Sequence, residues 1–354
     1  MTRAGPQERE SFATGRFFGV LMVLMALGGW TIVPLFLRHF AETIDPWTSN
    51  GWRYGFAALL WSPVLVWGLT RRKLPAGLWT LALVPAAFNS SGQICLTPAH
   101  YQIDPGLLTF GLRVQIVCVA IGAAIMFPSE RRIVRSRGFL VGGIMVIAGT
   151  IGTAAGGDFS REGTAFGVAL AMISGALFGG YSLAVRRYLH GLHPIVAFAV
   201  ISLYTAGAML TLMLVLGRRG GLEALDIAIL GREQFGLLLL SSLAGIALGH
   251  VAYYISIARL GVAVSTGVIQ LQPVAVGLCS MVLFNELLTP TQWGTGAVAI
   301  GGAALMLWVQ HRMVARDRRE ALTAVSADEY RELPPDHVVA ASADEEPSEI
   351  RPRV

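Results

Sequence analysis

The chain has 354 residues, 54% of them hydrophobic and 14% charged, with a formal net charge of +5. A mean hydropathy of +0.60 lies outside the range of soluble domains and points to a bilayer as the solvent. The positive charge sits in loops between apolar runs, so it argues for orientation in a membrane and gives no argument for nucleic acid as a partner.

A spanning helix needs about 20 predominantly apolar residues. Runs of that length without Asp, Glu, Lys or Arg cover 17–37, 74–103, 138–157, 163–185, 194–217, 234–258 and 260–285. They are solid rather than alternating, which predicts helices and not a barrel. Glycines, prolines and charge clusters divide them into ten spans: 17–38, 47–70, 76–99, 105–127, 138–157, 163–185, 194–216, 234–258, 262–284 and 292–310.

Residues 1–16 carry Arg3, Arg9 and Arg16 ahead of an apolar run that continues to Leu37 without a cleavage site. This predicts a cytoplasmic N-terminal segment and an uncleaved first helix. The loops on the side of the termini hold Arg71, Arg72, Lys73, Arg131, Arg132, Arg135, Arg137, Arg186 and Arg187. The positive-inside rule therefore predicts a multi-pass protein of the cell inner (cytoplasmic) membrane with both termini in the cytoplasm. Residues 311–354 turn polar and read as a disordered cytoplasmic tail. Cys95, Cys118 and Cys279 fall inside spans without metal-ligand spacing and read as small core residues, so neither metal nor cofactor is expected.

The two halves of the chain repeat each other. GGWTIV at 28–33 matches GGYSLA at 179–184, and each is followed by a turn ending in Asp45-Pro46 or His193-Pro194. MFPSERR at 126–132 matches LFNELL at 283–288, which sets Glu130 opposite Glu286, and a glycine-rich span follows each glutamate. The repeats are 17–157 and 163–310, five helices each. Five is odd, so the second repeat enters the membrane in the opposite sense. The expected fold is an all-α membrane protein of ten transmembrane helices in two inverted five-helix repeats.

These residues, with WRYGFAALL at 52–60 and QLQPVAVGLCSMVLFNELLTPTQWGTGAVAIGG at 270–302, resemble the drug/metabolite transporter superfamily in its ten-helix EamA branch. The resemblance covers nearly all of 17–310. It implies a secondary transporter of small organic molecules, often an exporter of amino acids or related metabolites, and no enzymatic activity. The expected partners are a small-molecule substrate and the lipid bilayer, with homodimerisation open. Two first-repeat residues depart from the pattern: Val117 stands where the second repeat has Pro273, predicted to lie inside a helix, and Arg113 stands opposite Ile269.

Arg113 lies about 12 Å along its helix from the span's start, where an arginine costs about 3 kcal/mol or more. No Asp or Glu lies inside any predicted span to neutralise it. It either ties to backbone carbonyls or to the amides of Asn89, Gln93, Gln270 or Gln272, or it lines a wet cavity and grips a carboxylate or phosphate with its fork. The second expectation adds Gln270 and Gln272 from the opposing repeat, with Asn89 and Gln93, as substrate contacts. Trp30 and Tyr181, at matched positions after paired glycines, serve either packing at the pseudo-symmetry axis or a cavity wall. His250 and Tyr253, on the eighth span, join the candidate site because an intramembrane histidine is rare. Arg53 is expected to pair with Glu286, while Glu130 and Glu286 read as ties at helix ends. Two other function classes stand as alternatives: an intramembrane serine hydrolase using Ser91 and His250, and a membrane sensor or scaffold without flux. No Gly-x-Ser-x-Gly or phosphate-loop motif supports an enzyme or an ATP-driven pump.

Overall fold

Asp45-Pro46 and His193-Pro194 open corresponding helices of the two halves. Pro lacks the N–H that a first helical turn leaves unused, and the residue before it caps the next donors. Asp45 Oδ1 accepts from the Trp47 and Thr48 amides at 3.1 and 3.0 Å. His193 Nδ1 accepts from the Ile195 amide at 3.4 Å. The computed structural model describes residues 6–127, 131–156, 164–189, 191–218, 223, 225–226, 230–260, 265 and 268–331. Glu130 lies outside the described residues.

The first repeat contains α1 (Pro6–Phe40), α2 (Pro46–Thr70), α3 (Leu78–Ala99), α4 (Pro105–Gly111), α5 (Val114–Met126), the short α6 (Arg131–Val134) and α7 (Arg137–Ala155). The second contains α8 (Thr164–Tyr188), α9 (Pro194–Leu216), α10 (Arg232–Ser241) running through a π-helical segment, Ser242–Leu248, into α11 (Gly249–Leu260), then α12 (Gln272–Phe284) and α13 (Pro290–Arg331). Met1–Trp308 form one unit, and the residues from Val309 onward form another. The expected disordered tail is corrected in part: helix continues to Arg331. Residues 311–331 are rich in Ala and Arg, both good helix formers.

Among the described residues, seven helical stretches are long and apolar enough to cross a membrane: the apolar part of α1, α4 with α5, α7, α8, α9, α10 through α11, and α13. Length and hydropathy alone therefore fall short of the ten expected spans. Helix α12 is shorter, at 13 residues. Helices α2 and α3 carry Thr48, Ser49, Asn50, Arg53, Asn89, Ser90, Gln93 and Thr97, all buried, and this polar load lowers their hydropathy. The burial pattern is that of a protein in lipid: Arg53 and Arg113 are 2% and 5% exposed, while Ile125 and Val282 are 70% and 77% exposed.

Packing pairs elements crosswise between the repeats. Helix α1 packs on α11, and its repeat counterpart α8 packs on α3; α1 also meets α12, as α8 meets α4 and α5. Helix α4 packs on α12, and the counterparts α2 and α9 pack together. So do α7 and α13, where Gly142 faces the Gly302 carbonyl and Gly149 faces Ala299. Exchanging the two halves carries the main contacts of α1 onto those of α8, as an inverted pseudo-two-fold requires.

Candidate functional site

Two helices from opposite repeats are broken where they face each other. In the first repeat, the Arg113 amide bonds the Phe110 carbonyl at 3.0 Å, an i→i−3 closure of 3₁₀ type, and Ile116 closes back on Arg113 in the same way at 3.0 Å. That leaves the Thr109 carbonyl without the helical donor at position i+4. In the second repeat, the Leu271 amide bonds Val268 O at 3.0 Å, and Pro273 begins α12 instead of lying within a helix as expected. A proline has no N–H, so the Ile269 carbonyl loses its i+4 donor.

Arg113 covers both orphaned carbonyls. Its Nε donates to Thr109 O at 3.1 Å and its Nη1 to Ile269 O at 3.4 Å. Nη1 also donates to Gln270 Oε1 at 3.1 Å and Nη2 to Gln272 Oε1 at 3.0 Å. Of the two roles open for Arg113, the backbone and amide tie is the arrangement observed in this conformation. The amides are Gln270 and Gln272, from the opposite repeat, and not Asn89 or Gln93. Among the described residues Arg113 forms no ion pair, so its charge meets only neutral dipoles.

A third orphaned carbonyl adjoins this cluster. Pro34 lies inside α1, so Trp30 O lacks its i+4 donor, and Gln272 Nε2 supplies one at 2.8 Å. Trp30 in turn donates through Nε1 to Gly245 O, in the π-helical segment, at 3.1 Å. Its ring packs against Tyr253 and His250 at centroid distances of 5.0 and 5.3 Å, and His250 stacks on Phe198 at 5.1 Å. Arg113, Gln270, Gln272, Trp30, His250 and Tyr253 thus form one connected cluster. The role of Pro34 escaped sequence reading, although its spacing from Trp30 repeats that of Pro273 from Ile269; searching four residues before each intramembrane proline finds both carbonyls.

Three other candidates lie elsewhere. Tyr181 Oη hydrogen-bonds Tyr254 Oη at 2.7 Å, tying α8 to α11. Asn89 Nδ2 donates to Thr205 Oγ1 at 3.0 Å, and the Gln93 carbonyl accepts from Asn50 Nδ2 at 3.4 Å, so both belong to a polar seam joining α2, α3 and α9. The hydrolase pairing is not assembled: Ser91 is exposed, and His250 Nδ1 lies 3.2 Å from the Ile246 carbonyl of its own helix.

The expected Arg53–Glu286 pair is corrected. Glu286 Oε1 accepts from Arg38 Nε at 2.6 Å, and its Oε2 accepts from Ser280 at 2.6 Å. Arg38 is near the end of α1 and Glu286 just past the end of α12, at the same rim of the helix bundle. Arg53 lies two turns inside α2, where its Nε donates to Ser241 Oγ at 3.0 Å and Ser242 Oγ donates back to the Arg53 carbonyl. Ser241, not a carboxylate, receives the guanidinium, and Ser242 serves the backbone carbonyl of the same residue.

Comparison with known sequences finds a match to the family model described as "EamA-like transporter family" twice, over residues 17–155 and 165–308. No curated protein matches the sequence. A solved structure titled only "Crystal structure of protein" is 17% identical, with a TM-score of 0.55 over 83% of this chain and 98% of that one. That likeness bears on the fold alone.

Proposed function

This chain belongs to the EamA-like transporter family, and on that premise we propose that it is a secondary transporter of small carboxylate-bearing metabolites, such as amino acids or organic acids, working by alternating access between its repeats. The observation that carries the substrate class is Arg113: a guanidinium 5% exposed, at the meeting point of two broken helices, its charge answered only by carbonyl and amide oxygens. A carboxylate gives such a fork two charge-assisted bonds that neutral oxygens cannot match. Broken helices facing each other across a repeat interface are where secondary transporters hold substrate. Export is the direction the family resemblance favours.

Counterflow in proteoliposomes tests this with amino acids and organic acids, each paired with an analogue lacking the carboxylate, with and without a pH gradient. Carboxylate compounds are expected to exchange and their decarboxylated analogues not. Arg113→Lys should keep weak exchange, because lysine retains the charge but loses the fork. Exchange confined to neutral or cationic compounds would sink the substrate class.

The orientation proposed places both termini and the 71–73 loop in the cytoplasm of a cell whose inner membrane holds the protein. The exposed Glu42 side chain then lies outside. In a background lacking Cys95, Cys118 and Cys279, Glu42→Cys should react with an impermeant maleimide on intact cells and Arg72→Cys only after permeabilisation. The reverse pattern inverts the topology.

A further inference from the structure

Resting on the carboxylate reading of the site, we propose that Gln272 is the positioning residue that couples substrate binding to movement of α1, by holding Arg113 at one end of its amide and the Trp30 carbonyl at the other. Gln272 is 7% exposed. Its oxygen accepts from Arg113 Nη2 at 3.0 Å, and its nitrogen donates to Trp30 O at 2.8 Å. Trp30 passes the connection on to Gly245 O at 3.1 Å. One side chain therefore joins the broken helices of both repeats to α1, and through Trp30 to the π-helical segment. The ends are unequal in chemistry: Arg113 has a better partner available in any carboxylate, whereas Trp30 O has none, because Pro34 offers no N–H.

A carboxylate that takes the Nη1 and Nη2 hydrogens now held by Gln270 and Gln272 displaces both of their oxygens. Displacement of Gln270 has no onward effect on Trp30. Displacement of Gln272 turns its amide away and leaves Trp30 O buried without a donor, which raises the free energy of the present packing of α1 against α12 and the π-helical segment. The ligand then favours the arrangement in which α1 has moved, which is the differential interaction that a population shift requires. A neutral solute that does not compete for the guanidinium leaves the connection closed. The carboxylate is thereby required for the conformational step as well as for affinity.

The test uses acetate as the minimal carboxylate and acetamide as its neutral isostere on the full-length purified protein. Ala26 is fully buried in a cluster with Ala252 and Ile269, so Ala26→Cys in a background without the native cysteines reports opening of α1 by its rate of maleimide alkylation. Acetate should accelerate alkylation roughly fivefold, the ratio set by losing one neutral hydrogen bond, and acetamide should not. Gln272→Met should be fast without acetate and indifferent to it. Gln272→Glu, which presents a carboxylate to Arg113 and removes the donor to Trp30 O, should behave the same way. Gln270→Met should keep the acetate response. If acetate acts on the parent and Gln272→Met responds as the parent does, or Gln270→Met loses the response equally, the coupling role is wrong and the carboxylate reading stands. If acetate has no effect on the parent while counterflow shows carboxylate exchange, the coupling role also fails. If neither assay responds to carboxylates, the functional reading itself fails.

Discussion

Arg113→Met is expected to lower stability by on the order of 3 kcal/mol, seen as a fall in thermal unfolding midpoint of the detergent-solubilised protein in the absence of substrate. Methionine conserves much of the volume but removes the donors to Thr109 O, Ile269 O and the oxygens of Gln270 and Gln272. Each buried acceptor left alone costs about 1–3 kcal/mol, and relaxation of the two free glutamine side chains recovers part of the sum. The two backbone carbonyls have no such freedom. Arg113→Lys should fall between, since one ammonium cannot reach acceptors on both broken helices at once. An unchanged midpoint in Arg113→Met would mean that the breaks satisfy their carbonyls without the arginine.

Gly302→Val should abolish recovery of monodisperse protein. A Cβ on Gly302 would stand 2.5 Å from Gly142 O and 2.8 Å from Val146 N, and one on Gly142 would stand 2.7 Å from Gly302 O. The obstructing atoms are backbone on both sides, so α7 and α13 must separate, at a cost above the roughly 1–3 kcal/mol typical of overpacking a core with movable side chains. The same helices provide the controls. Gly294 has nothing within 4 Å of an added Cβ, and Gly143 meets only Met306 Sδ at 4.0 Å. Gly294→Ala and Gly143→Ala should be tolerated or slightly stabilising, by up to about 1 kcal/mol. Size-exclusion profiles of the three variants decide it: equal recovery of Gly302→Val would show that the close approach is not needed.

The doubled landmarks GGWTIV and GGYSLA, and the paired helix openings at Asp45-Pro46 and His193-Pro194, were sufficient to read the two-repeat fold, because each landmark does the same local job in both copies. Arg113 was legible as an anomaly for a simple reason: a charge in an apolar run must find partners, and the amides on the facing span were few. What its sequence position did not reveal was the 3₁₀ closure from Phe110 to Arg113: Gly111 lies within it, but a glycine inside a span reads equally well as a close helix approach, which it also makes to Ala171. The break in the second repeat has Pro273 as its sign; the first has only Gly111. The Arg53–Glu286 pairing failed because sequence supplies opposite charges without their depths. Arg38 shares a rim with Glu286, and two serines deep in the second repeat supply what Arg53 needs. Among the described residues, seven spans rather than ten stand out by hydropathy: α12 is short, and α2 and α3 fall below because their polar residues face protein, a distinction invisible to an average over the helix.

The crosswise pairing of α2 with α9 and of α3 with α8 and α9 bears on how the chain is made. A ribosome releases α2 and α3 into the membrane more than a hundred residues before α9 is complete, so Arg53, Asn50, Asn89 and Gln93 enter a nascent intermediate whose packing partners do not yet exist. Lipid offers those groups nothing, and the serines that receive Arg53 are synthesised later still. The early helices must therefore wait at the insertion machinery, or shelter against one another, until the second half arrives. Although the sequence is a duplication, the first copy is not a finished product: biogenesis runs to the end of the second repeat before either half has its native neighbours.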